Sequence, residues 1–415
     1  MNGLWKNRNA VVLLGANLFA SIGMGILSLG VAWLLVDRQG GEKLLGIVMI
    51  ATTILLFLTA PLIGVMIDRF SRRNIMRGNQ WFVLLLVTPI AVSASINQGL
   101  ATWQLVLLYV VSVAYYGVHY PNMLAYVQQL FDKGKHGSMN GLLEVQSQSA
   151  SMIAGGVGGV LFQFIEPSRV LLVVALGSLI SLSLIHNLPK DQPFKIKKVD
   201  QVPKVTERNV GLTFIKQNLA FSLFILSLLI PFVTLMVGNY LRPVYLNQTL
   251  QVDASIYGYT NMLYSLGACM AGVFVTWLFA RFGPWAAAIV SVGFYTSSLF
   301  FIALVPFVPL FLLLQLFQGL GNAGSRICKQ TIMMARIDNS RIGRVNGVFD
   351  AIGMGVRVIL LLLFTVSTDW FSTQLAFLSM AIISSGAILM IIANRSQLAF
   401  GLKRNTHSKP VRGAS

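Results

Sequence analysis

Charge is what this sequence has least of. Only 11% of its 415 residues are Asp, Glu, Lys or Arg, whereas 55% are hydrophobic; soluble domains average about 25% charged. An ordinary soluble fold is excluded, and the chain belongs in a membrane. Acid is scarcer than base, with 13 Asp+Glu against 31 Lys+Arg and a formal net charge of +18. The cations fall in short clusters between long apolar runs rather than on a basic face, so no nucleic-acid partner is expected. The two cysteines, Cys269 and Cys328, lie in apolar runs without ligand spacing. That excludes a disulfide framework or a Cys-based zinc site, and both read as buried packing residues. No P-loop is present, which excludes a self-contained ATP-driven pump, and no His/Cys/Asp/Glu cluster has metal spacing. No metal, no cofactor and no enzyme activity are expected; energy must come from an ion or substrate gradient.

A bilayer core about 30 Å thick requires roughly 20 apolar residues per helix. Twelve segments qualify: 10–36, 44–67, 74–96, 103–130, 138–165 and 170–188 in the first half, then 220–241, 256–280, 285–305, 309–335, 345–366 and 373–393. None alternates apolar and polar residues as a barrel strand would. The first follows a short basic leader but is too long for a signal sequence, and is expected to be retained as a helix. Pro61, Pro89, Pro121 and Pro231 are candidate kinks, tolerated where neighbouring helices satisfy the freed backbone groups.

With the N-terminus inside, 24 of the 31 cations fall in cytoplasmic segments, whereas the outer loops hold four: Arg38, Lys43, Arg169 and Arg242. The positive-inside rule therefore puts both termini in the cytoplasm. The expected organisation is an N-terminal six-helix bundle over 1–188, a basic cytoplasmic linker over 189–217, a C-terminal six-helix bundle over 218–394 and a basic tail over 395–415. The halves also repeat. Gly137-Ser-Met-Asn140-Gly141-Leu-Leu-Glu144 returns 206 positions later as Gly343-Arg-Val-Asn346-Gly347-Val-Phe-Asp350, with Gly, Asn, Gly and a carboxylate in register. Parallel repeats of this kind are a carrier architecture, with substrate bound between the halves near the midplane.

After the second span stands Gly64-Val-Met-Ile-Asp68-Arg69-Phe-Ser-Arg72-Arg73. It resembles the signature loop of the major facilitator superfamily (MFS), Gly-x-x-x-Asp-Arg-x-x-Arg-Arg. The resemblance extends over the whole chain and implies an all-α membrane fold of twelve helices in two pseudo-symmetric bundles that rock about a central cavity. Asn140-Gly-Leu-Leu-Glu144, Gly155-Gly-Val-Gly-Gly159 and Glu207-Arg-Asn-Val-Gly211-Leu-Thr-Phe214-Ile-Lys-Gln-Asn218 resemble the branch of macrolide efflux pumps and catecholate siderophore exporters. The first of these stretches is also similar to bacterial lysophospholipid flippases. There are departures. Gly155 stands where family antiporters carry a proline, Tyr109 where drug/proton antiporters carry an arginine, and the second-half counterpart keeps Gln315 and Gln318-Gly319. The usual drug-antiporter route for protons therefore lacks its residues.

The resemblance implies that Asp68 caps the start of helix eleven near Gly343 to Val345, with Gly64, Arg69, Arg72 and Arg73 in the same gate; the alternative for the cations is topology and lipid anchoring. Glu144, Arg326, Lys329, Asp350 and Arg357 fall inside helices, where each central charge costs about 2.5–3.5 kcal/mol and normally pairs or faces water. Arg326 and Lys329 share one helical face, and Asp350 is at a depth where it can pair with either. These three are either a site or a structural cluster. Glu144, with no cation at its depth in its own half, is a proton-site candidate or a bundle-packing group, with Asp350 and His119 as further proton candidates. The surplus of one cation among the five points to a substrate with an anionic group. Tyr109, Tyr116 and Tyr120 form one stripe that either lines a cavity or packs in the core. Asn17, Tyr240, Gln315 and Asn322 add polar cavity candidates, alongside Arg326, Lys329 and Arg357.

The function expected is export of amphipathic small molecules (drug, macrolide or siderophore class) by alternating access. Protons are the expected coupling ion and membrane lipids the surroundings, in a monomer of the bacterial inner membrane. Lysophospholipid flipping and a non-transporting sensor remain alternatives. Asp68→Asn is expected to abolish transport with expression intact; normal flux in vesicles carrying that variant would remove the latch.

Overall fold

The computed structural model describes residues 7–132, 135–190, 210–337, 339–367 and 370–395. The expected leader, most of the linker (191–209) and the tail beyond residue 395 lie outside these. Every regular element among the described residues is helical. The first half comprises α1 (Arg8–Val36), α2 (Gly41–Arg69), α3 (Arg72–Ile96), α4 (Thr102–Leu130), α5 (His136–Phe164) and α6 (Pro167–His186). The second comprises a short α7 (Val210–Gln217), α8 (Leu219–Val244) with a π-helical extension over Tyr245–Thr249, α9 (Ala254–Leu304), α10 (Val308–Arg336), α11 (Asn339–Val366) and α12 (Thr373–Ala393).

Eleven of these helices are long, and α9 alone has 51 residues. It is two crossings in one. Gly283, at φ 81° and ψ 173°, breaks the helix just before Pro284, a backbone geometry open to glycine but not to ordinary side chains. The expected spans 256–280 and 285–305 thus join through a bend rather than a loop. Helix starts are marked as sequence chemistry requires: Asn7 accepts from the Asn9 amide at 3.0 Å, Ser71 from the Asn74 amide and Ser372 from the Leu375 amide, both at 3.3 Å. Each supplies an acceptor to an amide that has no partner inside the helix.

Eight helices are long and apolar enough to cross a membrane. The exceptions among the long ones, α4, α5 and α10, are each 29 residues and carry more polar residues along their length. A helix in lipid must be apolar all round, but one facing a protein interior or water-filled cavity need not be. Large apolar side chains cover the outside of the bundle, with Leu62 69% and Val273 79% exposed. Such a surface would be a liability in water; in hydrocarbon it is the solvated state.

The two halves meet at their outer ends. Gly155 and Gly159 of α5 pack directly on Gly258 of α9: a Cβ on Gly258 would lie 2.3 Å from the Gly155 oxygen and 2.7 Å from the Gly159 Cα. Backbone touches backbone there. Nearby, Asn247 Nδ2 donates to Asp37 at 3.2 Å, Gln163 Nε2 to Asp253 at 3.2 Å, and Gly46 of α2 lies against Thr365 of α11. The inner ends of α2 and α11 make no comparable seal, since Asp68 is exposed and a Cβ at Gly64 or Gly343 would meet nothing within 4 Å. The molecule is closed at the end where α5 meets the start of α9 and open at the end where α2 stops and α11 starts, the end that the charge pattern assigns to the cytoplasm.

Gly258→Leu is expected to wedge α5 from α9 at a cost of about 1–3 kcal/mol. In a Cys269→Ser background, a cysteine replacing the buried Ala254 should then react with a membrane-impermeant maleimide roughly tenfold faster. Unchanged labelling would show that the glycine contact does not hold the outer end shut.

Candidate functional site

A cavity of about 710 Å³ opens among α8, α10 and α11, lined by Phe232 and Met236, by Arg326 and Lys329, and by Asp350 and Arg357. Helix α10 presents its two cations from one face, three residues apart, as an α-helix requires. Lys329 Nζ lies 3.0 Å from Asp350 Oδ1, and Asn346 Nδ2 donates to the other carboxylate oxygen at 2.7 Å. Arg326 does not share Asp350. Its Nη2 reaches across to α5 and meets Glu144 Oε1 at 2.9 Å. The sequence reading of Glu144 as unpaired is therefore corrected, because the partner comes from the opposite half. Glu144 and Asp350, the acids that recur in the repeat, both pair with α10, one across the molecule and one within its own half.

The Glu144–Arg326 pair is open to the cavity, with side chains 57% and 47% exposed. An ion pair that wet contributes about 0–1 kcal/mol. It orients without locking. Lys329, 12% exposed, is more enclosed than its partner. Deeper in the cavity wall, Arg357 makes neither an ion pair nor a hydrogen bond with a described residue, and its Nε is buried without a partner. Tyr109 of α4 lies within electrostatic reach of it.

Outside the lining of this cavity, α4 presents an aromatic ladder. Tyr116 stacks on Tyr120 at 5.5 Å between centroids, and Tyr115 on His119 at 5.0 Å. Within the expected stripe Tyr120 is 54% exposed while Tyr109 and Tyr116 are half-buried, and Tyr115, off the stripe, is fully buried. His119 Nε2 donates to Asn17 Oδ1 at 2.6 Å, and Asn17 Nδ2 donates to Gln146 on α5. This buried chain ties α1, α4 and α5 together, and it fixes His119 in place as a hydrogen-bonded imidazole.

Several expected site residues sit elsewhere. Arg72 and Arg73 are buried, not at a gate. Arg72 donates to Gln129 at the end of α4, and Arg73 donates to the Ile185 and His186 carbonyls at 3.1 and 2.5 Å. Arg73 thereby caps the negative end of α6, fastening α3 to its neighbours. Asp68 and Arg69 are exposed and bond to no described residue, so the cap on α11 is not made in this open state. Tyr240 and Gln315, 1% and 0% exposed, lie in the packed interior rather than on the cavity wall. Asn322 is buried as well and donates to Tyr264 Oη at 2.7 Å. Cys269 is exposed, contrary to expectation, and Cys328 is buried.

One residue was missed. Arg242, counted from sequence as an outer-loop cation, is 3% exposed inside α8. Its side chain folds back along the helix: Nε donates to the Gly238 carbonyl at 3.3 Å, Nη2 donates to Asn239, and the guanidinium lies 5.7 Å from the Tyr264 ring centroid. The available signal was Gly238 four residues earlier, on the same face, where a missing side chain leaves room for an arginine.

Glu144→Gln is expected to change stability by no more than about 1 kcal/mol in thermal unfolding, while transport falls. Arg326→Glu, which sets two acids together, should abolish transport, and Glu144→Arg combined with Arg326→Glu should restore part of it. A silent Glu144→Gln, or a double variant as dead as the single, would show that the pair has no part in transport.

The fold is shared with solved transporters. The nucleoside transporter NupG (D323A mutant) is 15% identical, with a TM-score of 0.70 over 94% of this chain and 100% of that one. A bacterial homologue of the iron transporter ferroportin in an inward-facing state is 15% identical at 0.68 over 93% and 98%, and a D-xylose-proton symporter 14% identical at 0.70 over 92% and 96%. At such identities the likeness is one of fold. No curated protein matches the chain. The family described as the Major Facilitator Superfamily matches residues 13–308 and 223–411. With its all-helical fold, apolar exterior and cavity open at one end, the chain is a multi-pass membrane transporter that belongs to the Major Facilitator Superfamily.

Proposed function

We propose that this chain is an exporter of the bacterial cytoplasmic membrane that moves amphipathic small molecules of the drug, macrolide or siderophore class outward by alternating access, coupled to proton entry. The observation that carries this is the Glu144–Arg326 pair, which joins the two halves across a cavity open to the cytoplasm. A proton on Glu144 removes its charge and leaves Arg326 without a counter-ion. Because the pair is half exposed and weak, that single event is enough to separate it. The aromatic face of α4 offers Tyr116 and Tyr120 to a bulky ring system, and the cavity among α8, α10 and α11 offers charged anchors. Cavities for amphipathic ligands combine these two surfaces. In the outward-open state the inner ends approach, and Asp68 is then placed to cap α11. One chain supplies the whole lining of the cavity, so a monomer is expected to suffice.

The test is flux in proteoliposomes under an imposed pH gradient, with a macrolide and a catecholate siderophore as substrates. The wild type should transport at least one of them faster with the gradient than without, and Glu144→Gln should lose that acceleration. Flux indifferent to the gradient would sink the coupling, and movement of a fluorescent lysophospholipid between leaflets without it would favour a flippase. A deletion strain with neither retained siderophore nor altered drug sensitivity would remove the export reading.

A further inference from the structure

Arg242, Arg326, Lys329 and Arg357 are cations set along α8, α10 and α11, and two acids, Glu144 and Asp350, answer two of them. Arg242 and Arg357 are left without an acid. Arg242 is 97% buried, counting from its 3% exposure, and its Nη1 has no hydrogen-bond partner; Arg357 Nε is likewise buried and unpartnered. A guanidinium remains charged at any physiological pH, so it cannot escape burial by shedding its proton. Unanswered charge within a membrane protein marks a ligand or ion path.

The two arginines are linked through tyrosines. Tyr109 lies near both Arg357 and Tyr257, and Tyr257 lies near Arg242. Arg357 lines the open cavity, whereas Arg242 lies on the side of the closed outer end, against Tyr264. Together they mark a route from the cytoplasmic opening toward the outer seal. Its chemistry is planar N–H donors flanked by phenol rings, with no carboxylate to neutralise it. Guanidinium forks of this kind pair with oxyanions through two parallel hydrogen bonds.

We propose that Arg357 and Arg242 form the anion subsite of the transport path, with Arg357 receiving a carboxylate, phosphate or catecholate oxygen of the cargo from the cytoplasm and Arg242 taking it over near the outer end. The substrate then supplies the counter-charge that the protein lacks, and the other two cations remain with Glu144 and Asp350. The inference deepens the proposed export function and rests on it for the direction of movement. It does not depend on proton coupling.

The experiment uses the full chain in nanodiscs of phosphatidylcholine, so that no anionic lipid supplies the missing charge. Binding is measured for matched probes: 2,3-dihydroxybenzoate against its methyl ester, 1-naphthyl phosphate against 1-naphthol, and lysophosphatidate against lysophosphatidylcholine. At least one anion should bind tenfold or more tightly than its neutral partner. Arg357→Gln and Arg242→Gln should each erase that preference while leaving the neutral probe unaffected, and Arg357→Lys should keep part of it. A preference confined to lysophosphatidate would move the cargo from soluble anions to lipid headgroups while retaining the subsite. Equal binding within every pair, or loss of both members together, would overturn it. Without ligand, Arg357→Gln should raise the melting temperature, since it removes an unanswered buried charge; a fall would show that the arginine is structural. Equilibrium binding needs no gradient, so failure of pH-driven flux sinks the coupling and leaves this result standing, whereas equal binding of acid and ester sinks the subsite and leaves export standing.

Discussion

Inside a bilayer a charge is stable only against another charge or against water, and the rest of this molecule follows from that constraint. Backbone groups meet it by forming helices throughout. Side chains meet it by leaving the membrane-facing surface to Leu, Val, Ile and Phe and by gathering what charge remains along α5, α8, α10 and α11. Helix α10 is the centre of that arrangement, because one of its faces answers the acids of both halves, through Arg326 to Glu144 and through Lys329 to Asp350. The duplication that produced two acids at equivalent positions thus ends in an asymmetric structure, with one bond between the halves and one inside the second.

Most of the architecture was legible in the sequence, since apolar run length is a direct consequence of bilayer thickness. The boundaries of α1, α3, α4 and α12 lie within a few residues of expectation. Where the reading failed, the deciding information was three-dimensional. Glu144 looked solitary because its own half offers no cation, and only the meeting of α5 with α10 supplies one. Arg72 and Arg73 belong to a loop motif, yet the carbonyls at the end of α6, more than 100 residues away, hold Arg73. Arg242 lay beside an expected span end, and an error of one helical turn converted a buried group into a loop cation. The bend at Gly283 was invisible as such because Gly-Pro reads equally as a loop.

The aromatic face of α4 is built differently. The α4 ladder of rings carries no formal charge, and the His119–Asn17–Gln146 chain of hydrogen bonds fastens three helices of the first half into one unit. The first half thus carries a face of hydrogen-bonded aromatic rings, and the second a cavity lined by charge.

The glycine seam between α5 and α9 bears on how fast such a machine can run. Where interlocking side chains join two bodies, rolling one over the other requires rotamers to be exchanged one by one, and each exchange adds friction. At Gly155, Gly159 and Gly258 there are no rotamers to exchange. Peptide backbone meets peptide backbone there, so in the seal only the neighbouring side-chain contacts, Asn247 with Asp37 and Gln163 with Asp253, have rotamers to rearrange when the outer ends part.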